Sequence, residues 1–225
     1  MRIHFGNVPE IADVQPEAEG LHNIRGPKAS VGYLLAGLTG FLLLIMPIMG
    51  LCLILSFFAL PSTETTSRLH PPAPWGAVLL ALLVYVPLHE LLHLVWHPRL
   101  GLSNQSVLVI WPTKLRFGVY YEGSMSRTRW LLMRIAPFIV LSLVPAGLLA
   151  IFQNVPFNHT IKTFFEVLLV VNGVGSGGDV IAIILVLFQV PPSALLCFRG
   201  GRAYWKPMSP VDNHAPPSVQ EATCQ

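Results

Sequence analysis

Long apolar stretches separated by short polar segments dominate this chain. Four of them cover residues 31–60, 75–97, 130–152 and 163–190. A helix of about 20 apolar residues is long enough to cross the hydrocarbon core of a membrane. The pattern therefore predicts an all-α polytopic membrane protein with about four transmembrane helices.

The polar segment between the second and third stretches contains two short strand-like runs. Ser106–Trp111 is one of them, and in the other, Lys114–Tyr121, the apolar residues Leu115, Phe117 and Val119 alternate on one face. Alternation with a period of two is typical of a strand with one buried face. The two runs, joined by a short turn, predict a small β-hairpin beside the membrane.

Composition and charge support a membrane location and suggest an orientation. Hydrophobic residues make up 53% of the chain and charged residues only 11%, whereas soluble domains carry about 25% charged residues. Lysine and arginine concentrate after the second stretch and in the C-terminal segment. Because cytoplasmic loops are enriched in these residues, we expect a multi-pass protein of the cell membrane with both termini in the cytoplasm. Residues 1–30 would form a largely irregular tail, residues 31–206 the membrane-embedded domain, and residues 207–225 a disordered tail.

One polar motif lies inside the second apolar stretch. Residues His89–His93 read His-Glu-Leu-Leu-His, so the two histidines lie four residues apart on one face of a helix. Two imidazoles in this arrangement can share one metal ion, and Glu90 lies beside them as a possible general base. Ionisable groups within a membrane segment are costly and usually functional. The motif therefore predicts a metal site within the membrane.

Asp179 is the best candidate for a third ligand. It follows a glycine-rich segment at residues 172–178 that should weaken the fourth helix. If the second and fourth helices enter the membrane at Trp75 and Phe165, then His89 and Asp179 are both fourteen residues in, or about 21 Å. Equal depth predicts that Asp179 meets the two histidines.

His97 is the alternative third ligand, because it lies one further turn beyond His93. The following residue, Pro98, disfavours helical geometry at His97. We therefore rank His97 below Asp179.

Two neutral imidazoles and one carboxylate form the ligand set of a catalytic zinc ion, which keeps a fourth position open for water. Glu90 would take a proton from that water and deliver it to the leaving amine of a peptide. Asn172 suits two roles equally well at this stage. It could stabilise an oxyanion or contact the substrate, or it could be an ordinary amide that packs helices together.

Several motifs together resemble a known family. They are the His89–His93 motif, the strand-like stretch before Arg127–Arg129, Ile135-Ala-Pro137, and the segment Asn172–Asp179. These resemble the small bacterial membrane proteins called putative zincin peptidases, a family of unknown function, over roughly residues 75–207. More distantly, the chain looks like the site-2 protease class of intramembrane metalloproteases.

The likeness to site-2 proteases implies a role for each motif residue. Zinc would be held by His89, His93 and Asp179, and Glu90 would be the base. The sequence departs from that class at the aspartate, which lies in a Gly-Gly-Asp-Val segment rather than in a Leu-Asp-Gly motif. The resemblance implies a zinc metallopeptidase that cuts membrane or membrane-proximal proteins.

An intramembrane substrate must be drawn out of its helix before it can be cut, because a helix screens its peptide bonds. Pairing with an exposed strand edge achieves this for many sequences. The run Lys114–Tyr121 is the candidate edge, with Leu115, Phe117 and Val119 as the residues beside the substrate. The alternative is a hairpin that only braces the helices.

Two other functional classes compete with a peptidase. One is a non-catalytic metal-binding membrane protein, such as a pseudoprotease or a chaperone, and the other is a small transporter with Asp179 as its ion site. Glu90 favours the peptidase, since a site that only binds metal needs no acid there. The lack of internal repeats and of other buried charges argues against a transporter. We expect membrane lipid and a protein or peptide substrate as partners and no nucleic acid, and the oligomeric state stays open.

Overall fold

The structure is a computed structural model that describes residues 1–6, 20–26, 29–42, 49, 74–114, 116–151, 158–199 and 202–208. The helices are α1 (Ala29–Gly40), α2 (Trp75–Val95), α3 (Arg127–Phe138), α4 (Val144–Ile151), α5 (His159–Gly175) and α6 (Gly177–Gln189). The strands are β1 (Arg2–Phe5), β2 (His22–Asn23), β3 (Ser106–Trp111), β4 (Arg116–Tyr121), β5 (Ser124–Ser126), β6 (Ala194–Arg199) and β7 (Arg202–Pro207). The prediction of an all-α protein is therefore wrong, because two β-sheets accompany the helices.

The prediction of four transmembrane helices is also wrong for the residues that the structure describes. Two helices there are long and apolar enough to cross a membrane, namely α2 and the continuous helix Arg127–Ile151, in which a π-helical turn joins α3 to α4. A third crossing is formed if α5 and α6, which are bent by 42° at a break, count as one. The predicted first stretch is described mainly as the short helix α1, and most of its remainder lies outside the described residues. Among the described residues, the fourth predicted span is broken between α5 and α6, so its apolar length alone does not establish a continuous crossing.

The first sheet contains the predicted hairpin. Its strand order is β1-β3-β4, and β3 pairs antiparallel with β4 so that Leu108 lies opposite Val119. A short 3₁₀ turn at Pro112–Lys114 joins these two strands. Among the described residues, β4 has one strand neighbour, so its outer side is an edge of the sheet. Leu115 lies outside the described residues.

The N-terminal segment, predicted to be largely irregular, contains two short strands, and much of the rest of it lies outside the described residues. Arg2–Phe5 forms β1 and pairs parallel with β3, and His22–Asn23 forms β2 and pairs with β7. Strands this short have too few residues to show the period-two alternation by which a strand is recognised in a sequence. Nearly all of the predicted C-terminal tail lies outside the described residues.

The second sheet has the order β2-β7-β6-β5 and is fixed directly to the helices. β5 runs straight into α3, whose N-terminus is capped by the Ser126 hydroxyl, which accepts a hydrogen bond from the Arg129 backbone N–H. A hydrophobic core lies between this sheet and the helices α3 and α6, and its buried members are Tyr121, Met125, Trp130, Met133, Val186, Val190, Ala194 and Leu196. This packing holds α3 against α6, while α2 packs against α3 and α5.

Candidate metal centre

Three buried side chains from two separate helices meet in the helical part of the fold. The metal-ligating atoms of His89, His93 and Asp179 all lie within 4.8 Å of one another. The Asp179 Oδ2 atom is 3.2 Å from His89 Nε2 and 3.3 Å from His93 Nε2. Ligands of a tetrahedral zinc ion, bound at about 2.0–2.1 Å, would be separated by about 3.3 Å. The residues that the sequence predicted to converge therefore do converge, at distances that fit a zinc ion.

The local sequence explains how each ligand reaches this point. His89 and His93 are one turn apart on α2, and their rings meet edge to face with centroids 4.9 Å apart. Asp179 lies in the first turn of α6, just after the chain breaks at Ser176. A side chain on Gly175 would overlap the hydroxyl of Tyr85, so glycine at this position permits close approach of the broken helix to α2.

Asn172 contacts the Nδ1 atom of His89, on the side of the ring away from Asp179. The Asn172 Oδ1 atom lies 2.9 Å from His89 Nδ1, and the Asn172 Nδ2 group donates to Pro137 O at 3.2 Å and to Ser142 Oγ at 2.7 Å. Because a carbonyl only accepts hydrogen bonds, the Pro137 contact requires nitrogen on that side of the amide and places oxygen towards His89. Asn172 is fully buried. This geometry favours orientation of His89 over the oxyanion or substrate contact considered from the sequence.

His93 has a comparable partner on the neighbouring helix. Its Nδ1 atom lies 2.9 Å from the backbone carbonyl oxygen of Met133. Since that oxygen can only accept, Nδ1 carries the proton and Nε2 keeps its lone pair. Metal-binding histidines usually donate the second ring N–H to such an acceptor. Both histidines are therefore in the tautomer and the orientation that a metal ligand needs.

Arg134 is a functional candidate that the sequence reasoning missed. Its Nη1 atom donates to Asp179 Oδ1 at 2.7 Å, and its guanidinium lies over the ring of Trp130, 5.2 Å from the centroid. The side chain is 30% exposed, so Arg134 is a partly buried charge, contrary to the expectation of no further buried charges. The sequence did contain a signal for Arg134, since an ionisable residue inside an apolar stretch is a functional candidate, as it was for His89.

Glu90 contacts the predicted hairpin. Its Oε2 atom accepts a hydrogen bond of 2.9 Å from the backbone N–H of Val119. The Val119 N–H therefore points towards α2 and away from β3. Since N–H directions alternate along an antiparallel strand, the backbone N–H of Phe117 points to the same outer side. The candidate base and the open edge of β4 are thus next to each other.

His97 contacts the first sheet. Its Nδ1 atom is 3.2 Å from Ser106 Oγ, and its ring contacts that of Tyr121. Burial lowers the pKa of His97 to about 4, so the ring is neutral near pH 7. Within the described part of the chain, the group of possible metal ligands contains Asp179 and not His97.

Comparison with known proteins identifies a family. Residues 82–195 match the model of the family described as "Putative zincin peptidase". No curated protein and no solved structure matches the chain. The matched residues include the whole candidate metal centre and make up half of the chain. The chain therefore belongs to this family, whose description suggests a metallopeptidase and implies zinc.

Proposed function

We propose that this member of the putative zincin peptidase family is a zinc-dependent, membrane-embedded peptidase of the site-2-protease type. One observation carries the proposal: three lone-pair atoms converge in a buried site beside a glutamate. Both histidines lie on α2, which is long and apolar enough to cross a membrane, and Asp179 lies on α6, which is so only when it is counted together with α5. The peptide bonds that the site would hydrolyse therefore belong to membrane or membrane-proximal proteins.

The convergence of lone pairs favours a metal ion over a proton. Both His89 and His93 have Nδ1 next to an oxygen that accepts its proton, so both Nε2 lone pairs face the carboxylate oxygen of Asp179. Such an arrangement is repulsive unless positive charge lies between the three atoms, either as a proton on each imidazole or as one metal ion. A single proton can serve only one imidazole, whereas a zinc ion serves both imidazoles and the carboxylate.

The residues of the chain supply the remaining chemistry. Bound zinc would acidify a water molecule and polarise the substrate carbonyl. Glu90 would accept the proton of the attacking water and return it to the leaving amine. The hydrogen bond from Val119 holds one carboxylate oxygen of Glu90, which restricts its rotamers and leaves the other oxygen for proton transfer. Arg134 holds Asp179 Oδ1, so that Oδ2 faces the histidines.

The open edge of β4 is the proposed site for an extended substrate. A peptide that pairs there would lie next to Glu90, because the outward N–H of Val119 already reaches that side chain. Backbone pairing would accept varied sequences. Phe117, Val119 and the undescribed Leu115 are the proposed neighbours of the substrate. We also propose that both termini lie in the cytoplasm of a cell-membrane protein, on the basis of the lysine and arginine distribution.

Metal analysis of detergent-purified protein tests the proposal. We expect one zinc per chain, its loss in His89→Ala and His93→Ala, and a clear decrease in Asp179→Ala. His159→Ala is the matched control, because His159 is an exposed residue at the start of α5. Absence of zinc from the wild-type protein after zinc loading would refute the proposal. Full zinc retention in Asp179→Ala, with loss in His97→Ala, would transfer the third ligand position to His97.

A further inference from the structure

A proline lies in α3 at the point where that helix faces the candidate metal centre. In an α-helix, the N–H of residue 137 would bond to the carbonyl of residue 133. Pro137 has no N–H, so the helix cannot supply this hydrogen bond. Both Pro137 and Met133 are buried. The sequence therefore creates a buried carbonyl, that of Met133, without its usual helical partner.

The acceptor created in this way is the one that holds His93. The His93 Nδ1 atom lies 2.9 Å from Met133 O, in a contact between residues 40 positions apart. A buried carbonyl without a hydrogen bond is destabilising, so the histidine and the carbonyl each satisfy the other. The oxygen of Met133, which lacks a helical N–H partner, is thus the same atom that orients His93.

The same stretch of helix also supports the other histidine. The carbonyl of Pro137 accepts a hydrogen bond from Asn172 Nδ2, and Asn172 Oδ1 in turn faces His89 Nδ1. Just beyond, a π-helical turn at Ile139–Leu143 carries Ser142, which is the second partner of that amide. One section of the continuous helix Arg127–Ile151 therefore holds both histidines.

We propose that Pro137 is a positioning residue for the metal centre, which acts by withholding an N–H from the carbonyl of Met133. This role rests on the proposed zinc site. It explains in chemical terms how Pro137 affects the metal centre without being a metal ligand or a substrate contact. An N–H at position 137 would bond to Met133 O and compete with His93. Because the carbonyl oxygen would then divide its acceptor capacity between two donors, His93 would be held less firmly in its tautomer and in the direction of Nε2.

The expected effect is a weaker metal site in a well-formed helix. Loss of an outer hydrogen-bond partner of a metal ligand typically lowers metal affinity 10–100-fold. Pro137→Ala restores the N–H and also favours the helix, since alanine is the best helix former. We therefore expect zinc affinity to fall by about that factor, while the thermal unfolding temperature of the metal-free protein is maintained or raised.

A matched pair of variants separates the missing N–H from the shape of the ring. Pro137→Ala has a methyl side chain and an N–H, whereas lactic acid, the α-hydroxy acid placed at position 137 by nonsense suppression, has the same methyl group and an ester oxygen. Zinc affinity is measured by competition with a chelator in detergent. We expect the ester protein to bind zinc as the wild type does and the alanine protein to bind more weakly.

Equal affinities of the two variants would overturn the proposal. If both bound weakly, the ring of Pro137 would matter for packing, and if both bound like the wild type, the absence of an N–H at position 137 would not matter for the site. A wild-type protein that binds no zinc would instead refute the proposed function, and this role with it.

Discussion

Replacement of Glu90 by glutamine tests whether Glu90 is the general base and leaves the three metal ligands unchanged. The amide has the same shape as the carboxylate, and its oxygen can still accept the hydrogen bond from the Val119 N–H. An ionised acceptor becomes a neutral one, which weakens that bond by about 1 kcal/mol. The three candidate ligands are unchanged, so we expect the variant to keep its fold and its zinc.

The loss of activity should be much larger than the loss of stability. A neutral amide cannot take the proton of the attacking water. General base catalysis contributes about 10²–10⁴-fold to a rate, or about 2.7–5.4 kcal/mol of barrier height. We therefore expect kcat to fall by at least about 100-fold, while zinc content stays at the wild-type value.

The assay needs three readouts on the same detergent-purified samples. They are zinc per chain, the thermal unfolding temperature, and the cleavage rate of a panel of quenched fluorogenic peptides and transmembrane model helices. Glu166→Gln is the matched control, because Glu166 is half exposed and its nearest charged partner is Lys162, at 3.8 Å. That variant should retain zinc and full activity.

Cleavage by the Glu90→Gln variant at the wild-type rate would refute Glu90 as the base. A folded, zinc-loaded wild type that cuts no member of the panel, and whose zinc is unaffected by Glu90→Gln, would favour the non-catalytic metal-binding alternative. The combination of retained zinc and lost cleavage is the outcome that the peptidase requires.

Three further predictions concern the surroundings of the site and the orientation of the chain in the membrane. Arg134→Met should lower zinc affinity about tenfold, because Asp179 loses the partner that orients it, and Arg134→Lys should lower zinc affinity less. Competition with a chelator measures both affinities, and unchanged affinity in both variants would contradict the proposed role of Arg134. Phe117→Pro tests strand addition and leaves the hydrogen bond from Val119 to Glu90 in place. This variant should keep zinc and cleave much more slowly than the Phe117→Ala control, and equal rates would exclude pairing at this edge. Cysteine substituted at the exposed residue His159 should react with an impermeant reagent from outside, whereas cysteine at Asn104 should not, and the reverse result would invert the orientation.

The sequence by itself determined the parts of this protein that depend on near neighbours. The spacing of His89 and His93 places both on one helix face whatever surrounds that helix. Period-two alternation identified the hairpin of β3 and β4, and the glycines before Asp179 indicated the break between α5 and α6. The longest of these signals, the hairpin, covers only Ser106–Tyr121, and over so short a stretch backbone geometry alone relates the side chains.

The number of crossings and the two sheets were decided by the tertiary structure. Hydropathy counts apolar length but does not register that α5 and α6 are bent or that Arg2–Phe5 finds a partner in β3. A strand of four residues has too few positions to show a period, so its pairing depends on what lies beside it.

The surroundings of the ligands were likewise beyond the sequence. The contacts of His89 with Asn172, of His93 with Met133 and of Arg134 with Asp179 join residues 83, 40 and 45 positions apart. One of them uses a backbone carbonyl, which has no sequence signature of its own. Residue type and spacing therefore specify which side chains can bind a metal, whereas only helix packing specifies which groups orient them, because hydrogen bonds form within about 3 Å and depend on the relative placement of whole helices.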